Sequence, residues 1–193
     1  MILGLPPLDA DNALWNMPPS FRREYTLSKY AIACEFRPRR ICEIGVFTGI
    51  SAKCFLAASP QAEYVGIDNK RDQNGMGVEA VEHARRDLQA LGYRATIHIL
   101  DSQALDRLPD PPYDFIHVDG DHSRAGAAHD VRMAWHACID DGEILVDNGH
   151  DMGVAAGVFD ALFDLTYGTH LIDWRYYSGK CGNLLISKRP FVI

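Results

Sequence analysis

From Arg40 onward, short apolar runs alternate with stretches whose apolar residues recur at helical spacing. Ile41 to Gly45, Tyr64 to Asp68, Ala95 to Leu100, Tyr113 to Val118 and Glu143 to Val146 read as buried strands. Between them, Ser51 to Ala58, the run holding Val81, Ala84, Leu88 and Leu91, the run holding Val131, Trp135 and Cys138, and Asp151 to Leu165 read as helices. Gly92 closes the second of these helices and Ser123 caps the third, while 72–77 is a polar, glycine-bearing loop. His170 to Trp174 and Asn183 to Ser187 read as a final strand pair around Ser178-Gly179. The first forty residues lack strand alternation. A helix is expected over 20–36, with Ser20 as N-cap, Tyr25, Leu27, Tyr30, Ala31 and Cys34 as its apolar side, and Pro38 ending it.

Repeated βα units demand a parallel sheet covered by helices on both faces. The expected fold is therefore α/β: a doubly wound, Rossmann-like sheet of about seven strands, mostly parallel, with an antiparallel C-terminal strand. The expected division is an N-terminal helical segment, 1–39, serving as a lid or oligomer contact, and a ligand-binding domain, 40–193.

Composition narrows the function classes. Net charge is −7 and the one concentrated basic run, Arg37 to Arg40, is short, so nucleic acid ranks below small molecules as a partner. The five cysteines are odd in number and show no C-x-x-C spacing, which argues against a disulfide framework or zinc knuckle. Cys34, Cys42 and Cys54 read as buried small hydrophobes, and reduced thiols point to the cytoplasm. The sequence shows neither a signal-peptide pattern nor an apolar run of membrane-spanning length, so no membrane partner is expected. Exposed apolar residues among the first forty would suit a homodimer.

Candidate chemistry gathers where strands end. Glu43-Ile-Gly45-Val-Phe47-Thr-Gly49 runs from a strand into a glycine turn, with G-x-x-x-G in place of the dinucleotide G-x-G-x-x-G. Glu43 would repel a pyrophosphate and attract an ammonium group. Asp68 follows the turn by about 20 residues, where an acid meets ribose hydroxyls in doubly wound nucleotide sites. Asp101 and Ser102 end the third strand, at a place that suits an adenine or a plain turn. Asp119, Asp147 and Asn148 end two neighbouring strands, and oxygen ligands of this kind suit magnesium, calcium or manganese. Among eight histidines, His122 and His150 fall in loops beside these acids, whereas His98 and His117 lie inside strands and read as packed.

The ordered set Glu43-x-Gly45-x-x-x-Gly49, Asp68, Asp101-Ser102, Asp119 and Asp147-Asn148 resembles class I S-adenosylmethionine-dependent methyltransferases. The run Ile116 to Ser123 is similar to the methyltransferase-24 type, and Asp119 with Asp147-Asn148 to the metal site of catechol O-methyltransferases. The resemblance covers about residues 40 to 187. It implies Glu43 on the methionine ammonium, directly or through water, Gly45, Phe47, Gly49 and Asp119 lining the cofactor, Asp68 on the ribose, and Asp101 and Ser102 near the adenine. It implies Asp119, Asp147 and Asn148 as ligands of a divalent cation, magnesium above all. The catechol-type enzymes have a lysine three residues after the first metal aspartate; this chain has His122, which also accepts a proton near neutral pH. The expected activity is divalent-cation-dependent O-methylation of a small-molecule hydroxyl. A metal-independent methyltransferase and a silent cofactor-binding module are the alternatives, and the acceptor stays open among sugar, phenol and polyketide hydroxyls.

Overall fold

The computed structural model describes residues 19–71, 77–166, 170–177 and 182–190. Trp15, Met17, the loop over 72–76 and the Ser178-Gly179 turn lie outside them. Helix α1 (Pro19–Phe36) precedes β1 (Arg40–Ile44), α2 (Ile50–Ala58), β2 (Glu63–Asp68), α3 (Gly77–Ala90) and β3 (Arg94–Ile99). A 3-10 turn (Ser102–Ala104) leads on to β4 (Tyr113–Val118), α4 (Arg124–Ala137), β5 (Cys138–Val146), α5 (Met152–Thr166), β6 (His170–Tyr177) and β7 (Asn183–Pro190). The strands form a single seven-stranded sheet in the order β3-β2-β1-β4-β5-β7-β6. β7 is antiparallel to both its neighbours, and the pairings among β1 to β5 are all parallel. The order reverses between β1 and β4, and the crevice beyond their carboxyl ends is the switch point where such sheets bind ligands.

Alternation along the strands sorts the core into two layers. Cys42, Ile44, Ile116, Val118, Ile144 and Val146 pack with α4 and α5. Ile41, Phe115, Leu145 and Leu185 face the opposite way and pack with residues of α1, α2 and α3. With a side-chain period of two, Glu43, His117, Asp147 and Asn183 fall on this second face. Among the described residues no helix is long and apolar enough to cross a membrane.

Three details differ from the expectations. α1 starts at Pro19, so Ser20 sits in the first turn; proline at a helix start forfeits no hydrogen bond. Its buried face is Thr26, Lys29, Ile32 and Ala33, whereas Leu27 and Cys34 are exposed. A fully buried lysine is what the apolar pattern could not anticipate, because lysine goes inside only with partners. Cys138 opens β5 instead of ending α4, with its N–H still bonded to Ala134 O.

Candidate active site

The crevice is built by backbone first. Gly45 N–H donates to Ile67 O, Asp119 N–H to Ile44 O and Asp147 N–H to Val118 O, so each strand end is pinned to its neighbour. At Gly45 (φ 88°) a Cβ would lie 1.9 Å from the Asp119 carbonyl oxygen. Glycine is required there because the β1 turn and the end of β4 touch. Gly49 (φ 71°) packs tightly on α3, where a Cβ would lie 2.8 Å from that of Ala84. Phe47 also adopts positive φ, 46°. Asp68 holds this turn: its Oδ2 accepts the N–H groups of Val46 at 3.0 Å and Phe47 at 2.9 Å, and its Oδ1 that of Lys70 at 2.7 Å. Asp68, the last residue of β2, thus shapes the glycine turn.

Asp101 caps the 3-10 turn and pairs with Arg71 at 2.6 Å. Ser102 is buried beside Gln103, whose amide donates to Asp130 Oδ1 at 2.8 Å. Burial pushes the Asp130 carboxyl up to about 6. His129 Nε2 lies 3.0 Å from Ser102 O.

Glu43 lies near the end of β1, two residues before Gly45. It is 0% exposed. Its carboxylate accepts the hydroxyls of Ser51 and Tyr64, and its Oε1 lies 2.7 Å from His117 Nδ1. The side chain is turned into the core, where three partners share its two oxygens.

The acidic pair meets as the strand order requires, in unexpected company. One ligand atom from each of His117, Asp119 and Asp147 falls in a group within 4.8 Å of one another. Lys29 of α1, 0% exposed, reaches into it. Its Nζ lies 3.3 Å from Asp147 Oδ2 and 3.0 Å from His117 Nε2, and donates to Asn183 Oδ1 at 2.5 Å. An ammonium has no acceptor, so His117 Nε2 accepts and the ring proton sits on Nδ1, donating to Glu43. A continuous buried chain therefore runs Glu43–His117–Lys29–Asp147, from β1 through β4 and α1 to β5. Burial alone would raise the Asp147 carboxyl, but the Lys29 ammonium, with the Asn148 N–H, outweighs it and holds it below the ordinary carboxylate range. Asn148, at φ 55°, turns the chain and donates its N–H to Asp147 Oδ1 at 2.9 Å.

These residues do not fit the expected divalent ion. A metal among His117, Asp119 and Asp147 would share their donors with a resident ammonium. At about 4 Å and an effective dielectric of about 20, that ammonium and a divalent ion repel by roughly 8 kcal/mol. Asp119 and Asp147 of the expected metal set do converge, and the Lys29 ammonium beside Asp147 weighs against an ion between them.

Asp119 is the more open acid. Its Oδ1 lies 3.1 Å from His122 Nε2, and its Oδ2 accepts the Tyr25 hydroxyl at 3.4 Å. Burial and the neighbouring Asp147 raise its carboxyl above the usual range, against the His122 contact. The His122 side chain is 46% exposed. Its hydrogen bond to Asp119 raises its pKa, with the charges of Asp119, Asp147 and Asp151 adding and burial opposing. Lys29, His117, Asn183 and the Tyr25 hydroxyl were not among the expected site residues. The available signals were the strand parity that aligns 43, 117, 147 and 183, and a lysine one helical turn after Tyr25.

A family model described as a methyltransferase domain, Methyltransf_24, matches residues 42–149, more than half of the chain. The O-methyltransferase ankF of Aspergillus thermomutatus is 29% identical over 163 residues, 79% of this chain and 66% of that protein. The chain thus spans just under two-thirds of that relative's length. Among solved structures, cofactor-bound Rv0187 from MTB superposes with a TM-score of 0.66 at 20% identity, covering 86% of this chain and 79% of that one. The O-methyltransferase TomG from Streptomyces achromogenes, in complex with SAM, gives 0.64 at 20% identity with the same coverage. At these identities the two structures share the fold.

Proposed function

The chain belongs to the methyltransferase-24 family of S-adenosylmethionine-dependent methyltransferase domains, and from that premise we propose that it methylates a hydroxyl oxygen of a small-molecule acceptor. The observation that supports this most is the His122–Asp119 pair at 3.1 Å, on the strand end that touches the Gly45 turn. A proton acceptor and the family's cofactor turn thereby share one crevice. The two similar proteins named O-methyltransferases agree with an oxygen acceptor, and the acidic chain suits a small molecule better than nucleic acid.

Bound S-adenosylmethionine supplies a methyl group on a positively charged sulfur, a good leaving group. The residues have two tasks. Gly45, Phe47 and Gly49 shape the turn that would hold the cofactor, Asp68 would accept from its ribose hydroxyls, and Asp101 and Ser102 would line the adenine end. His122, held by Asp119, would orient the acceptor hydroxyl and take its proton, while the bound cofactor would supply the methyl group, its sulfur keeping the electron pair of the broken carbon–sulfur bond. Alignment of the reacting atoms is the main source of rate. The cation-assisted form rests on the oxygens of Asp119 and Asp147, and the Lys29 ammonium beside Asp147 weighs against it. The test is calorimetric titration with S-adenosylhomocysteine, followed by turnover over a panel of hydroxylated acceptors. His122→Ala should bind the cofactor product as wild type does and lose turnover by about 10²-fold or more. No binding by folded wild type would defeat the proposal, and unchanged turnover in the variant would remove His122 from it.

A further inference from the structure

We propose that Lys29 is the resident cation of this crevice, filling the place of a divalent ion, and that the transfer reaction needs no metal. The inference deepens the O-methyltransferase reading and rests on it for the reaction alone; the cation site is argued from contacts. A single helix face addresses both carboxylates that would have held a metal. Lys29 places its ammonium 3.3 Å from Asp147, and Tyr25, one turn earlier, donates its hydroxyl to Asp119 at 3.4 Å. The Lys29 ammonium also lies 4.9 Å from the centre of the Tyr25 ring, so the two side chains form one unit.

The acceptors that surround this ammonium come from three different strands or strand ends: His117 of β4, Asp147 just after β5 and Asn183 of β7. That is the convergence a metal site needs, with one imidazole nitrogen, one carboxylate oxygen and one amide oxygen around a single positive centre. Lysine supplies the charge as a fixed part of the chain. Lys29 is then a positioning residue. It neutralises Asp147, fixes the His117 tautomer and leaves Asp119 to act with His122 toward the acceptor.

The experiment uses the full chain and Mn²⁺ as the probe, followed by the paramagnetic resonance signal of free Mn²⁺. Wild type should leave that signal undiminished, and its turnover should be the same in a chelator as with added Mg²⁺. Lys29→Met, with native near-ultraviolet circular dichroism, should take up Mn²⁺, and adding Asp147→Asn should abolish the uptake. Mn²⁺ uptake by wild type that Asp147→Asn removes, loss of wild-type turnover in chelator, or a folded Lys29→Met that takes up none would each overturn the proposal. If Lys29→Met does not fold, the two wild-type measurements decide. Absence of cofactor-product binding and of any turnover would defeat the methyltransferase reading, while the Mn²⁺ result would still judge the cation site.

Discussion

Replacing Lys29 by methionine keeps the length of the side chain and removes its charge. At the observed 3.3 Å to Asp147, a unit pair attracts by about 5 kcal/mol at an effective dielectric of about 20. Removing one partner of a buried pair typically costs about 3–5 kcal/mol, since the other charge stays buried alone. In a domain of this size that corresponds to a fall in Tm of roughly 6–20 °C. Urea unfolding of wild type, Lys29→Met, Asp147→Asn and the double variant gives the cycle. The double variant should be more stable than the two single losses predict, by at least about 1 kcal/mol. The dependence on pH has a definite sign. The folded Asp147 carboxyl is held below its ordinary value, so its contribution is present above the unfolded carboxylate pKa, about 3.9, and fades as pH falls through the lower folded value. The gap between wild type and Lys29→Met should therefore narrow in acid. A Lys29→Met cost within about 0.5 kcal/mol at neutral pH, or strict additivity in the cycle, would refute the reasoning.

Two further outcomes are expected. His122 must be neutral to accept a proton, and its pKa lies above the ordinary 6.5, so the acid limb of the pH–rate profile should have its midpoint above that value. Asp119→Asn removes the principal cause and should move the limb to lower pH; an unmoved limb would mean that another group titrates. Gly45→Ala should destabilise far more than Gly92→Ala, though both glycines have positive φ. The first drives a Cβ into the Asp119 carbonyl, whereas at Gly92 nothing lies within 4 Å and only the backbone preference of about 1–2 kcal/mol remains. Equal shifts in denaturation midpoint would discount the contact between the β1 turn and β4.

Much of this molecule is legible along the chain. The alternation of apolar runs with helical spacing dictated a doubly wound sheet, because buried parallel strands and amphipathic helices leave few other ways to cover apolar surface. Strand ends marked by Gly45, Asp68, Asp119 and Asp147 located the crevice, since ligands in such sheets meet the carboxyl edge. Tertiary structure alone decided how those groups are used. Glu43 reads as a ligand acid until Ser51, Tyr64 and His117 close around it. Asp119 and Asp147 read as metal ligands, and only the fold brings a lysine more than a hundred residues from Asp147 to that side chain and to His117. Local pattern fixes which face of a strand or helix a residue occupies, but the charge that compensates a buried carboxylate is supplied from any element the fold brings near. Lys29 shares the buried face of α1 with Ile32 and Ala33 for that reason: its burial is stabilised by partners on or at the ends of three strands, and none of them is its neighbour in sequence.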